Sequence, residues 1–292
     1  MKKILITGGG GFIARNLAEQ LSTEYLISAP KRCELDLLDS EKVKNYIKKE
    51  SFDVVIHSAT YDAAPVNTTK DPSKVLEYNL KMFFNIARCK DYFGKLIYFG
   101  SGAEYDRENW IPKMQENYFD KHVPSDQYGF SKYIMTKYTI VCGNIINLRL
   151  FAVFGRYEDW RYRVISNYCC KALFNLPIVI PHNKKFDFLY VDDLVKIVKW
   201  FIENSSRFNV YNICSGQAFE FRTIAEKVLE ISGKKLSIIV KNESSIEYSG
   251  DNSLFLCEIK NFQFTPLGTA IEKLYRWYEK NISSINREEF HY

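Results

Sequence analysis

Ile4-Leu5-Ile6-Thr7-Gly8-Gly9-Gly10-Gly11-Phe12-Ile13-Ala14 decides the fold. A short apolar run stops at four glycines, and an amphipathic pattern begins directly after them. The run reads as a buried strand over Lys3–Thr7. Phe12, Ile13, Leu17 and Leu21 share one side of a helix over Phe12–Leu21. Glycines at such a junction permit a tight turn. They also let backbone amides approach a pyrophosphate at the helix N-terminus, the positive end of its dipole. The spacing is Gly8-x-x-Gly11-x-x-Ala14, with Ala14 small enough for the helix to pack on the sheet. Strand, glycine turn and helix in that order favour a dinucleotide cradle over an ordinary βα turn.

Outward from this turn, apolar runs alternate with helical patterns. Tyr25–Ala29, Val54–His57, Lys95–Gly100 and Ile145–Leu150 read as strands. Ser40–Lys49 (which Ser40 could cap), Ser73–Lys90 and Gln127–Val141 read as helices. The alternation predicts an α/β fold, a Rossmann-type doubly wound parallel sheet with a smaller C-terminal substrate-binding lobe. Beyond Gly155 the pattern turns irregular, and Arg156–Arg163 is rich in aromatics and charges. The expected division is a dinucleotide-binding domain over 1–155 and a region 156–292 that is mostly lobe. About 187–213 is expected to return to the first domain, and a polar tail to begin near Asn281.

Composition narrows the partners. The net charge of +5 is small and interspersed, which argues against nucleic acid and suits an anionic small ligand. Seven cysteines without a Cys-x-x-Cys pair read as reduced thiols of a cytoplasmic protein. His57, His122, His182 and His291 show no ligand spacing, so no protein-bound catalytic metal is expected. The N-terminal apolar run breaks at Gly8, too early for a signal peptide or a membrane span.

Two further segments carry chemistry. After the second strand comes Ser28-Ala29-Pro30-Lys31-Arg32-Cys33, with no acid until Glu34. An acid there would bond the ribose hydroxyls of NAD, whereas a base would pair with the 2′-phosphate of NADP. Lys31 and Arg32 therefore favour NADP, with NAD the alternative. Tyr128 and Lys132 are spaced i, i+4 and share one helix face. An ammonium held near a phenol is expected to lower its pKa. In a chain with 20 tyrosines other pairs, such as Tyr133–Lys137, fit the same spacing, so context has to decide.

That context resembles the extended short-chain dehydrogenase/reductases acting on nucleotide sugars, the NAD-dependent epimerase/dehydratase family. The likeness runs in order over roughly residues 3 to 280. Thr7-Gly8-x-x-Gly11-Phe12-Ile13 is similar to its glycine motif. Asp36-Leu37-Leu38-Asp39 resembles its adenine-holding segment, and His57-Ser58-Ala59 its third-strand motif, with Asn79 downstream. Gly100-Ser101-Gly102-Ala103-Glu104-Tyr105 looks like the strand of the catalytic serine. Leu148-Arg149-Leu150-Phe151-Ala152-Val153-Phe154-Gly155 resembles the strand passing the nicotinamide. Phe188–Asp193 and Tyr211–Gly216 are similar to two later family segments. The resemblance implies Ser101, Tyr128 and Lys132 as catalytic residues. It implies cofactor contacts from Gly8, Gly11, Phe12, Ile13, Lys31, Arg32, Asp36, Leu37, Ala59, Asn79 and Phe151, as well as from Tyr128 and Lys132. Glu34–Asp39 and the basic loop before it look most like GDP-fucose synthase and related 4-keto sugar reductases.

Departures from the family pattern narrow what is implied. Sugar 4,6-dehydratases of the family carry an Asp-Glu pair directly after the catalytic Ser or Thr; here Gly102 and Ala103 stand there. Glu104 comes one place late and should face away. The cysteine used by GDP-fucose synthase for epimerisation is Ala103, and its histidine falls near Arg163. The implied reaction is NAD(P)H-dependent reduction of the C4 ketone of a nucleotide-diphosphate 4-keto-6-deoxy sugar. The alternatives are a 4-epimerase retaining NAD and a catalytically inactive nucleotide-binding sensor. Ala152 and Phe186 replace an asparagine and an arginine of the family, and Arg156 stands where proline is usual. Substrate diphosphate contacts are therefore sought in Arg156, Arg163, Lys185 and Arg222, with Arg149, Arg161 and Lys184 as further candidates; each also reads as an ordinary surface charge. Helices around Phe83, Phe84 and Tyr133 match those that pair in the family's homodimers, or else carry core aromatics. His57, His122, Trp110 and Trp160 read as packing residues.

Overall fold

A strand such as Val54-Val55-Ile56-His57 has no polar face to offer solvent, so it is satisfied only inside a sheet covered on both sides. The computed structural model, which describes residues 1–62 and 69–290, places it there. The strands are β1 Lys3–Thr7, β2 Leu26–Ser28, β3 Val54–His57, β4 Lys95–Ser101, β5 Ile145–Leu150, β6 Ala152–Phe154, β7 Ile178–Ile180, β8 Asn183–Tyr190, β9 Val210–Ile213, β10 Ala218–Glu220, β11 Ile238–Val240 and β12 Glu243–Tyr248. The helices are α1 Phe12–Leu21, α2 Ser40–Glu50, α3 Val75–Ala87, α4 Gln127–Ile140, α5 Val164–Leu173, α6 Val191–Glu203, α7 Phe221–Ser232, α8 Ser253–Glu258 and α9 Leu267–Lys280.

The central sheet has the order β2-β1-β3-β4-β5-β9, and every pairing is parallel. Helices α1 and α6 bury their apolar sides in the core on one face. On the other face α2, α3 and α4 form a second layer, with Val43, Phe83 and Met135 buried. This is the α/β doubly wound architecture, and strand order reverses between β1 and β3, where such sheets open a crevice at their carboxyl ends.

Local corrections have physical causes. Helix α2 is capped by Asp39, not Ser40: Asp39 has extended backbone angles and accepts from the Lys42 amide at 3.0 Å, while Ser40 is already helical. The helix expected over Ser73–Lys90 opens with a separate 3₁₀ turn, Pro72–Lys74, before α3. Phe83, Phe84 and Tyr138 pack edge to face, so these aromatics lie between α3 and α4.

A second core is built by α5, α7 and α9 over the sheet β10-β8-β12, with β6 alongside the far end of β8. Strand β8 pairs within this sheet, whereas α6, directly after it, packs on α1, and β9 closes the edge of the central sheet. The segment from Asn281 is not a polar tail. Ile285 and Phe290 are buried in the second core, and the Phe290 ring lies 4.9 Å from Trp160. Two isolated apolar residues among polar ones carry no periodic signal, yet each fills a gap. Among the described residues no helix is long and apolar enough to cross a membrane.

Candidate active site

The carboxyl ends of β1, β3, β4 and β5 open into one cavity of about 1070 Å³. At one end lies the glycine turn. Gly8 has φ +74°, and a Cβ there would approach Ala59 Cα to 2.9 Å. A Cβ on Gly9 would come within 2.0 Å of the Ala29 carbonyl oxygen. Gly10 meets nothing within 4 Å, so backbone is exposed to an incoming group there. Gly8, Gly11, Phe12, Ile13, Lys31, Arg32, Asp36, Leu37, Ala59 and Phe151 all line the cavity. A glycine cradle at a helix N-terminus with two cations at the end of β2 fits a dinucleotide carrying phosphate groups.

Asn79 is placed differently. It is buried and does not line the wall; its amide accepts from Tyr61 N at 2.8 Å and donates to Tyr61 O at 2.9 Å. It therefore shapes the loop after β3 that borders the cavity. Asp36 divides its carboxylate between the Leu38 amide at 3.0 Å and Arg32 at 3.9 Å. His57 is a packing residue: its Nδ1 contacts Thr7 Oγ1 at 2.9 Å, and burial depresses its pKa to about 3, so it is neutral. His291 lies outside the described residues. Among those residues no group of three His, Cys, Asp or Glu could hold a metal ion, and all seven cysteines are free thiols.

At the other end β4 delivers Ser101 and α4 delivers Tyr128 and Lys132. Asp126 caps α4 by accepting from the Gly129 amide at 2.9 Å, which fixes the helix start beside Tyr128. Lys132 is buried; its ammonium donates to the Phe99 carbonyl at 2.8 Å and stands 5.6 Å from the Tyr128 ring centre. Ser101 accepts from the Ala103 amide at 3.2 Å and lines the cavity together with Tyr128. The electrostatics differ from the sequence expectation. Burial and the Asp62 carboxylate push the Tyr128 pKa up, and Ser101, Arg107 and Arg163 oppose them. Burial also draws Lys132 down to about 8, so it still carries its proton at neutral pH.

Glu104 turns into the protein, fully buried, and takes an ion pair from Arg149 and a 2.9 Å bond from Thr136 Oγ1. Arg149 is thereby removed as a ligand for substrate. Of the four substrate candidates, Arg163 lines the cavity, 3.7 Å from Asp62. The others stand outside its wall and face carboxylates: Arg156 faces Glu19 at 3.8 Å, Lys185 faces Glu247 at 2.8 Å, and Arg222 faces Glu243 at 3.7 Å.

Sequence reasoning missed Arg107, Glu158 and Tyr248, which line the cavity, as does Trp110, read in the sequence as a packing residue. Arg107 is tied to Asp126 at 3.3 Å and reaches over Trp110 and Tyr128. Glu158 accepts from Ser166 Oγ at 2.7 Å, and burial raises its carboxyl pKa to about 7. Only Arg107 carried a local signal, a cation six places beyond Ser101; Tyr248 arrives from β12, whose sequence bears no mark of the site.

A doubly wound sheet with a glycine cradle at the first turn, and a Ser, Tyr and Lys gathered across the same crevice, defines a nucleotide-binding α/β protein. The chain belongs to the NAD dependent epimerase/dehydratase family, whose sequence model matches residues 4–214. It is 26% identical over 265 residues to an ADP-L-glycero-D-manno-heptose-6-epimerase of Brachyspira hyodysenteriae, covering 78% of this chain and 80% of that protein. Its fold is shared with a GDP-L-fucose synthetase of Naegleria fowleri bound to NADP, at TM-score 0.84 and 17% identity over 97% of this chain and 94% of the other. It is shared also with a GDP-mannoheptose C4 reductase of Campylobacter jejuni with NADP bound, at TM-score 0.82 and 21% identity over 95% of this chain and 98% of the other.

Proposed function

We propose that the protein reduces the C4 ketone of a nucleotide-diphosphate 4-keto-6-deoxy sugar, with NADP as cofactor and NAD as the alternative. The observation that carries this reading is the meeting of Ser101, Tyr128 and Lys132 in one cavity whose neighbouring positions, Gly102 and Ala103, hold no ionisable side chain. A lone proton donor suits carbonyl reduction, whereas dehydration needs a further acid and base. The C4 reductase and the fucose synthetase that share the fold support it.

In this reading Gly8, Gly11 and the α1 N-terminus hold the pyrophosphate, and Lys31 and Arg32 hold the 2′-phosphate. The bound reduced nicotinamide supplies hydride to the carbonyl carbon. Tyr128 gives its proton to the carbonyl oxygen, for which a phenol of raised pKa is the right protonation state at neutral pH. Ser101 orients that oxygen. Lys132 supports the nicotinamide ribose. The second core forms the substrate lobe, Arg163 contributes to binding the sugar nucleotide, and the protein acts as a homodimer in the cytoplasm.

Spectrophotometry of NADPH with a panel of 4-keto-6-deoxy sugar nucleotides tests this, with stoichiometric oxidation the expected result. Interconversion of C4 epimers with no net change in cofactor absorbance would instead establish the 4-epimerase, which uses the same three residues. Light scattering checks the dimer.

A further inference from the structure

Lys132 is a buried ammonium at the wall of the cavity, and a buried charge is costly unless its surroundings compensate it. Among the described residues it touches no carboxylate. Glu104, the buried acid nearby, is committed to Arg149 and Thr136. Glu104 and Asp62 favour the cation without contact. An ammonium has three protons to give, and one goes to the Phe99 carbonyl at 2.8 Å.

Aromatic faces supply what a carboxylate would. The ammonium lies over the Tyr98 ring, 4.8 Å from its centre, nearer than the 5.6 Å to the Tyr128 ring. Tyr98 and Phe99 are consecutive on β4, so one stretch of strand provides both the nearer ring and the carbonyl. Tyr98 itself is fully buried and held from two sides. Phe83 meets it edge to face at 5.0 Å, and the neutral His57 ring stacks on it at 6.1 Å. Its hydroxyl has no hydrogen-bond partner among the described residues. What Tyr98 offers Lys132 is therefore the face of its ring, whose negative side attracts a cation most strongly where water is excluded.

We propose that Tyr98 is a positioning residue for Lys132: its ring face holds the ammonium against β4 by cation–π attraction, offsets the water lost around the charge, and leaves the remaining protons to face the cavity. The contact stands on this geometry alone. Its consequence for turnover rests on the reading of Lys132 as the support of the nicotinamide ribose.

The test follows Lys132 directly, in protein carrying carbon-13 at the lysine Cε, with the Lys132 resonance assigned by its loss in Lys132→Met. Tyr98→Phe keeps the ring face and should leave the Lys132 titration close to wild type. Pentafluorophenylalanine at position 98, installed by nonsense suppression, keeps a ring of similar size but makes its face electron-poor. It should raise the acid dissociation constant of Lys132 about 5–10-fold over Tyr98→Phe. Packing alone would not produce that difference between two rings of similar shape. An unchanged titration in the fluorinated variant, or an equal change in Tyr98→Phe, would overturn the proposal. On whichever 4-keto-6-deoxy sugar nucleotide the protein turns over, the alkaline fall in kcat/KM should begin about one pH lower in the fluorinated variant. If no sugar nucleotide is reduced, the functional reading fails and the Lys132 titration decides alone.

Discussion

At the dinucleotide end of the cavity the wall comes from two short runs of nearby residues, Gly8 to Ile13 and Lys31 to Leu38. The opposite end draws Ser101, Trp110, Tyr128, Arg163, Phe186 and Tyr248 from across the chain. The first end is shaped mainly by backbone: a positive φ at Gly8 and the carbonyl oxygen that leaves no room for a Cβ on Gly9. The second is shaped by side chains stacked on one another, Trp110 on Tyr248 above all. The difference teaches that a site made of backbone tolerates few sequences and advertises itself. A site made of packed side chains can be assembled from many, because any segment that reaches it will serve.

Each end can be broken without the other. Tyr128→Phe is expected to have the largest effect, lowering kcat by about 10²–10⁴-fold. Fluorescence titration should show NADPH binding retained, and near wild-type turnover would remove Tyr128 from the reaction. Arg32→Ala acts only at the backbone-built end. The loss of a charged partner for the 2′-phosphate should weaken NADPH binding by about 10-fold or more and leave NADH nearly unchanged. Equal weakening of both would place Arg32 elsewhere than at the phosphate.

The smallest effect is expected from Glu158, at the side-chain-built end. Its carboxyl is raised from the ordinary 4.5 to about 7 by burial. The folded protein therefore holds the proton more tightly than the unfolded chain. The stability this contributes is complete below about 4.5 and lost as pH rises through about 7. Glu158→Gln removes that loss. Denaturant unfolding should show the variant gaining about 1–2 kcal/mol on wild type between acid and mildly alkaline pH. Asp187, raised to about 6 by its own burial, is common to both proteins, so the difference isolates Glu158. A gap that does not change with pH would mean that Glu158 titrates normally.

Much of this was legible in the linear chain, for reasons that differ from residue to residue. Gly8, Gly11 and the strand before them were readable because a tight βα turn at a pyrophosphate demands glycine. Ser101, Tyr128 and Lys132 were readable through their spacing and order, not their chemistry, since tyrosine and lysine are common here. Asn79 was found as a motif residue, but its role in holding Tyr61 depends on a loop whose path the sequence does not state. Lys185 and Arg222 looked like free cations until β8, β10 and β12 brought carboxylates beside them. The lowered pKa of Lys132 follows from burial, which spacing cannot report.

By itself the sequence determined the parallel doubly wound sheet, the glycine cradle and the helical pairing of Tyr128 with Lys132. Each follows from local rules of periodicity, backbone freedom and i, i+4 geometry. Only the tertiary structure decided which charges face the cavity, that burial and the Asp62 carboxylate raise the Tyr128 phenol, and that Tyr248 fills the space beside Gly102. Those outcomes depend on burial and on contacts between residues far apart in the chain, and neither is written in any one stretch of it.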